Sequence, residues 1–91
     1  MKTYSVPFGI TNRTTLRFNV NAPEFTALTA CELMRRQALV GEARGHSDLF
    51  NHLSEEFGGR LELILGKRRF NQLTREASAS QVRLIDVIIY L

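Results

Sequence analysis

The sequence predicts an α+β fold: a two-layer sandwich with an antiparallel-rich sheet of about four strands and two helices on one face, in the order β-β-α-α-β-β. Three observations lead there. Two N-terminal segments alternate apolar and polar residues around a polar turn, a middle stretch repeats its apolar residues at helical spacing, and the chain closes on a β-branched run. The 91 residues fit one compact domain, 1–91, near the common domain size of about 100 residues.

Tyr4, Val6, Phe8 and Ile10 alternate with Thr3, Ser5, Pro7 and Gly9, the period of a strand with one buried face. Leu16, Phe18 and Val20 repeat the pattern, and Thr11-Asn12-Arg13-Thr14 between them predicts a β-hairpin. Pro7 removes a backbone donor, which points to an edge or locally irregular strand. Asn21-Ala22-Pro23-Glu24 opens a helix, because proline suits the first helical position and a glutamate there complements the helix dipole. Thr29 and Glu32 also fit a capping box, so the predicted start falls between 23 and 29. Ala27, Cys31, Met34 and Ala38 share one arc of this helix, Leu28 and Leu39 border it, and Thr29, Glu32 and Arg36 lie opposite. Small residues on the apolar arc would let the helix lie close on the sheet, and Gly41 and Gly45 break it.

A second helix begins near His46 or Ser47, with Asp48 in its first turn and Leu49, Phe50, Leu53 and Phe57 on its inward face. Gly58-Gly59 supplies a left-handed stop. Leu61, Leu63 and Leu65 then alternate with Arg60, Glu62 and Ile64, predicting a third strand. Residues Lys67–Gln81 are polar apart from Phe70 and Leu73 and fit a loop, a short helix around Thr74–Ala79, or a hairpin arm. The β-branched run Val82–Leu91 predicts a fourth strand, apolar on both faces and therefore central or covered twice.

The stretch Leu39-Val40-Gly41 through Gly45, then Phe57-Gly58-Gly59-Arg60-Leu61-Glu62-Leu63, resembles the core of a KH RNA-binding domain, where a Gly-x-x-Gly loop between two helices clamps the nucleic-acid backbone. The resemblance implies RNA contact by the Gly41–Gly45 loop. That loop is one residue longer than the family's, Glu42 would stand beside phosphates, and the flanking elements come in a different order. The chain is not assigned to that family.

Composition narrows the function classes. A 44% apolar share is that of a globular chain. The N-terminus alternates instead of forming an apolar run, so it does not read as a signal peptide. No window approaches the ~20 apolar residues of a membrane span. A single cysteine, Cys31, forms no internal disulfide, and a cytoplasmic protein without membrane contact is expected. The net charge of +3 is uneven: basic and acidic residues balance through position 59, and the excess follows around Lys67-Arg68-Arg69. Such a patch suits anionic partners or a solvated loop.

No catalytic set emerges. Cys31 lies on an apolar arc, away from any helix N-terminus or elbow that would activate it. His46 and His52 fall on different sides of their helix and lack the spacing of a zinc site. Glu55, Glu56 and Glu62 have no cleft to face, and the glycines form neither a Walker loop nor a dinucleotide fingerprint. The expectation is a non-enzymatic interaction protein of adaptor or inhibitor type, of the size seen among phage and plasmid accessory proteins. It would use no cofactor, metal or small-molecule substrate, and its partner would be another protein or a second copy in a homodimer. Ile64, Leu84, Ile88 and Tyr90 are the expected partner-binding patch, projecting from the outer sheet face. The alternative is a nucleic-acid module in which Lys67, Arg68, Arg69 and Arg75 touch phosphates and Phe70 stacks on a base.

Overall fold

The computed structural model describes residues 2–91; Met1, counted in the 1–91 domain and in the N-terminal reading, lies outside the described residues. It is α+β, with two helices and a three-stranded antiparallel sheet. β1 (Thr3–Gly9) and β2 (Thr15–Asn21) form the expected hairpin, with Tyr4 opposite Val20, Val6 opposite Phe18 and Phe8 opposite Leu16. Thr11 closes the turn. Its Oγ1 accepts from the Arg13 and Thr14 N–H groups at 3.1 and 3.0 Å, and Ile10 N–H donates to Thr14 O at 3.0 Å.

β1 is the central strand, with the sheet order β2-β1-β3, so Pro7 does not mark an edge. Its effect is on the length of the pairing. β3 (Ile88–Ile89) pairs only with Phe8 and Gly9, and Tyr90 N–H donates to Pro7 O at 2.9 Å. Pro7 has no N–H to return, so the ladder stops there. The predicted ten-residue closing strand is instead a 3-10 turn (Leu84–Asp86) followed by this two-residue strand. Alternate burial survives, since Ile85, Val87 and Ile89 are all buried.

α1 (Ala22–Ala43) starts at an Asn21 cap. Asn21 Oδ1 accepts from Glu24 N–H and Glu24 Oε1 accepts from Asn21 N–H, both at 2.9 Å, a closed capping box with Pro23 in the first turn. Gly41 stays inside the helix. Gly45, at φ +79°, ends it: Gly45 N–H donates to Glu42 O and His46 N–H to Gly41 O at 3.0 and 2.8 Å, a Schellman motif.

α2 (Ser47–Ala79) overturns the middle of the expected order. It runs through Gly58-Gly59, and residues 60–65 are helical, so the third predicted strand does not exist. Leu61, Leu63 and Leu65 fit a strand's alternation, but Phe57, Leu61 and Leu65 also fit i, i+4, i+8, and burial follows the helical spacing: those three are buried while Leu63 is 86% exposed. The loop–helix–Gly-Gly–strand order of a KH core is therefore absent. Lys67–Gln81, open between a loop, a short helix around Thr74–Ala79 and a hairpin arm, is helical to Ala79. Gly66 (φ +79°, ψ 162°) divides α2 into arms of residues 47–65 and 67–79. Gln81, at φ +57°, ends the second arm with Val82 N–H on Ala77 O at 2.9 Å.

The sheet buries Val6, Phe8, Phe18, Val20 and Ile89 against Leu28, Cys31 and Ala38 of α1 and Phe57, Leu61, Leu65, Leu73 and Ala77 of α2. Phe8 and Phe18 meet edge to face with centroids 5.4 Å apart. The small residues of α1 serve its approach to α2 more than to the sheet.

One expectation about α1 reverses. Glu32, read as solvent-facing, is 4% exposed, beside Arg35 at 6%. Its Oε1 accepts from Arg35 Nε at 2.7 Å and Ile89 N–H at 3.3 Å, and its Oε2 accepts from Arg35 Nη2 and Arg36 Nε, both at 3.0 Å. Arg35 Nη1 donates to Ile85 O at 3.1 Å. A buried ion pair thus fastens the closing segment to α1.

Candidate functional site

The helical hairpin places three large apolar side chains at the surface together. On α1, Leu33, Val40 and Arg44 follow one another at i, i+7 and i+11, opposite the buried Leu28, Cys31, Arg35 and Ala38. The Schellman turn then folds α2 back so that Leu49 rests on Gly41, where a Cβ would stand 3.3 Å from Leu49 Cδ2. The result is a groove of about 270 Å³ whose apolar walls are Leu33, Val40 and Leu49, which are 56, 49 and 45% exposed. Arg36, Arg44 and His46 are its charged or titratable lining residues, with Gln37 between them, and no carboxylate lines it. Arg36 is held from behind by Glu32; its two terminal amino groups make no hydrogen bond among the described residues.

A clamp behind the hairpin keeps the two helices in register. Arg83 reaches Glu42 at 2.7 and 3.0 Å and Asp86 at 2.7 and 3.2 Å, with its guanidinium carbon 5.3 Å from the centre of the Phe50 ring. The hydrogen bonds from Arg83 hold the Glu42 carboxyl below its ordinary range, and those from Glu42 and Asp86 raise the Arg83 pKa. For Glu32 burial is the largest influence and opposes ionisation. The hydrogen bonds from Arg35, Ile89 N–H and Arg36 together outweigh it and leave the pKa lowered.

The residues expected to contact partners are dispersed. Ile64 and Leu84 pack against the core from the helical side, not from the outer sheet face. Ile88 and Tyr90 do share a face, around a depression with Gly9, Ile10 and Asp86. Tyr90 is fixed there because Gly9 lacks a side chain: a Cβ at Gly9 would stand 2.5 Å from Tyr90 Cε2.

The basic run divides as well. Lys67, Arg68 and Arg75 are exposed, and Phe70 is half-buried against the core. Arg69 is committed internally: it donates to Leu65 O at 2.7 Å, Asn19 O at 2.8 Å and Glu24 Oε2 at 2.8 Å. It thereby satisfies a carbonyl freed at the Gly66 break and ties α2 to β2 and to the start of α1.

Other surfaces offer less. A depression of about 630 Å³ along α2, lined by His52, Glu55, Glu56, Gly59, Arg60 and Leu63, mixes both charges around a single exposed apolar side chain. Cys31 is buried, and that burial pushes its thiol pKa up against the opposing charge of Arg60, which lowers its nucleophilic fraction. Among the described residues no group of His, Cys, Asp and Glu could hold a metal ion, and no helix is long and apolar enough to cross a membrane.

Leu33, Val40 and Arg44 were legible only as a second, smaller stripe on α1: two apolar residues seven apart on the polar side of a helix whose core arc lay elsewhere. Leu49, expected on the inward face of α2, rests on Gly41 of α1 instead and is 45% exposed. No family model, curated protein or solved structure matches the chain.

Proposed function

We propose that this chain is a non-enzymatic protein-interaction module of adaptor or inhibitor type, acting in the cytoplasm, and that the groove between α1 and the start of α2 is its contact surface. The observation that carries this reading is the convergence of Leu33, Val40 and Leu49, three of the large exposed apolar residues, on one groove. Burying the exposed halves of three such side chains is worth about 2–4 kcal/mol, enough to anchor an interface completed by polar contacts. Ile88 and Tyr90 retain a secondary contact surface on the sheet.

The test compares capture from a lysate of the native host by the wild-type chain and by Leu33→Asp/Val40→Asp. Both positions are exposed, so circular dichroism and melting should stay close to wild type while a specific partner is lost. Equal capture by the folded double variant would overturn the reading. The nucleic-acid alternative keeps Lys67, Arg68 and Arg75 as its contacts and predicts salt-sensitive binding lost in Lys67→Ala/Arg68→Ala.

A further inference from the structure

Resting on that reading, we infer the class of the occupant: an amphipathic α-helix of a partner protein whose apolar stripe is flanked by acidic residues. Three features of the groove select it.

The first is backbone chemistry. The walls are helices whose N–H and C=O groups are bonded within each helix, and the Glu42 and Gly41 carbonyls at the end of α1 are taken by the Gly45 and His46 N–H groups. Only the first-turn N–H groups of α2, which no side chain caps, stay open, a helix end and not a strand edge. An extended segment entering the groove would find no ladder partners for its own backbone and would leave those groups unpaired on burial. A helix brings its backbone already satisfied.

The second is spacing. Leu33 and Val40 lie seven residues apart on α1, about 10 Å along the axis, and Leu49 of α2 stands beside the Val40 end, on Gly41. Apolar residues at i, i+3 or i+4, and i+7 of a second helix cover the same span. Gly41 is buried beneath Leu49 and the His46 carbonyl and lets Leu49 sit close on α1.

The third is charge. Arg36 and Arg44 line the groove and no carboxylate does: Arg36 is paired from behind with Glu32 at 3.0 Å, Arg44 has no carboxylate partner among the described residues, and the nearby Glu42 is turned to Arg83. Flanking carboxylates on the occupant would meet guanidinium groups, one of which Glu32 already orients. Basic flanks would meet like charge.

The experiment is a selection from a displayed library of 16-residue helical peptides, with core positions varied among apolar residues and flanking positions varied evenly among acidic, basic and neutral ones. The full chain is the bait, and Leu33→Asp/Val40→Asp serves for counter-selection. Acidic flanks should outnumber basic ones several-fold among the winners. A labelled winner should bind with micromolar affinity by fluorescence anisotropy, lose about tenfold on Arg44→Glu, and weaken as salt rises from about 50 to 300 mM. Arg44 has no side-chain partner among the described residues, so this variant tests charge without disturbing the fold.

Winners with basic or neutral flanks, or winners that bind the double variant equally, overturn the inference. If no peptide is selected while Leu33→Asp/Val40→Asp still abolishes capture from lysate, the helix inference fails and the groove reading stands. If capture also persists, both fail. Concentration-dependent dimerisation in sedimentation, abolished by the same double variant, would assign the groove to a second copy and overturn the acidic-helix occupant.

Discussion

Replacing Glu32 with alanine should be among the most destabilising single changes in this protein. The carboxylate accepts from Arg35 twice, from Arg36 once and from the Ile89 N–H, at 2.7–3.3 Å, while 4% exposed. Its removal leaves the Arg35 guanidinium, 6% exposed, with only Ile85 O at 3.1 Å, and leaves the Ile89 N–H unpaired. Breaking a buried pair by deleting one partner costs about 3–5 kcal/mol, because the remaining charge stays buried. Domains of this size hold roughly 5–15 kcal/mol in all, and each kcal/mol moves the melting temperature by about 4–8 °C. A fall of roughly 12–40 °C is therefore expected, readable by circular dichroism and urea titration. Amide exchange should localise the damage to Ile89 and Phe8, where β3 meets β1. Removing both charges, as Glu32→Met/Arg35→Met, leaves nothing charged behind and should recover most of the loss. A loss below about 1 kcal/mol for Glu32→Ala, or a double variant no better than the single, would refute the buried link.

Three further predictions rest on separate features. Gly66→Ala should cost about 1–3 kcal/mol in urea unfolding, since φ +79° with ψ 162° is a glycine conformation, whereas Gly59→Ala should gain about 0.4–1 kcal/mol because a Cβ there meets nothing within 4 Å. Gln81→Gly should stabilise by about 1 kcal/mol in the same measurement by relieving a left-handed residue at the end of α2. The folded pKa of Glu24 is lowered by the Asn21 N–H first and by Arg69 after it, against burial, and that of Glu32 is lowered as well. Their stabilisation is complete above the ordinary glutamate value of about 4.3 and is lost as pH falls through the folded values, so melting temperature should drop below that pH, less steeply in Glu24→Gln.

What the sequence disclosed was local; what it concealed depended on distant partners. The hairpin, the Pro23-Glu24 helix start and the Ser47 helix start rest on turn and cap chemistry within a few residues, and each is present. The Gly58-Gly59 stop failed because helix propensity is a weak constraint beside burial: Phe57, Leu61 and Leu65 each lie within the core, and two glycines cost less than exposing them. The closing strand is short because the residues ahead of Ile88 turn into a 3-10 helix tied to remote partners, Arg83 to Glu42 and Ile85 O to Arg35, while Pro7 ends the ladder past Ile89. Arg69 read as a free cation because nothing local announces that Asn19 O and Glu24 will come to meet it. Glu32 read as solvated for the same reason. Its partners in the closing segment are remote, and helical periodicity assigned it to the wrong side.

The Glu32 cluster bears on the groove as well as on the core. Arg36 is 66% exposed at its side chain, the usual setting of a mobile cation, and an exposed i, i+4 pair alone would order it little. Its partner is different, however, because Glu32 is fixed by Arg35 and by the Ile89 N–H. A guanidinium tied at Nε to an immobile carboxylate loses much of its rotamer freedom before any partner arrives, and Arg36 lines the groove with its terminal amino groups unbonded among the described residues. Under the binding reading proposed above, that ordering is already present in the free protein and is not subtracted from the affinity. Arg44, by contrast, has no such tether and would have to be ordered on binding. The two arginines of the same rim therefore serve differently, Arg36 as a preset donor and Arg44 as an adaptable one. The buried carboxylate that holds the last strand also orients one side of the groove.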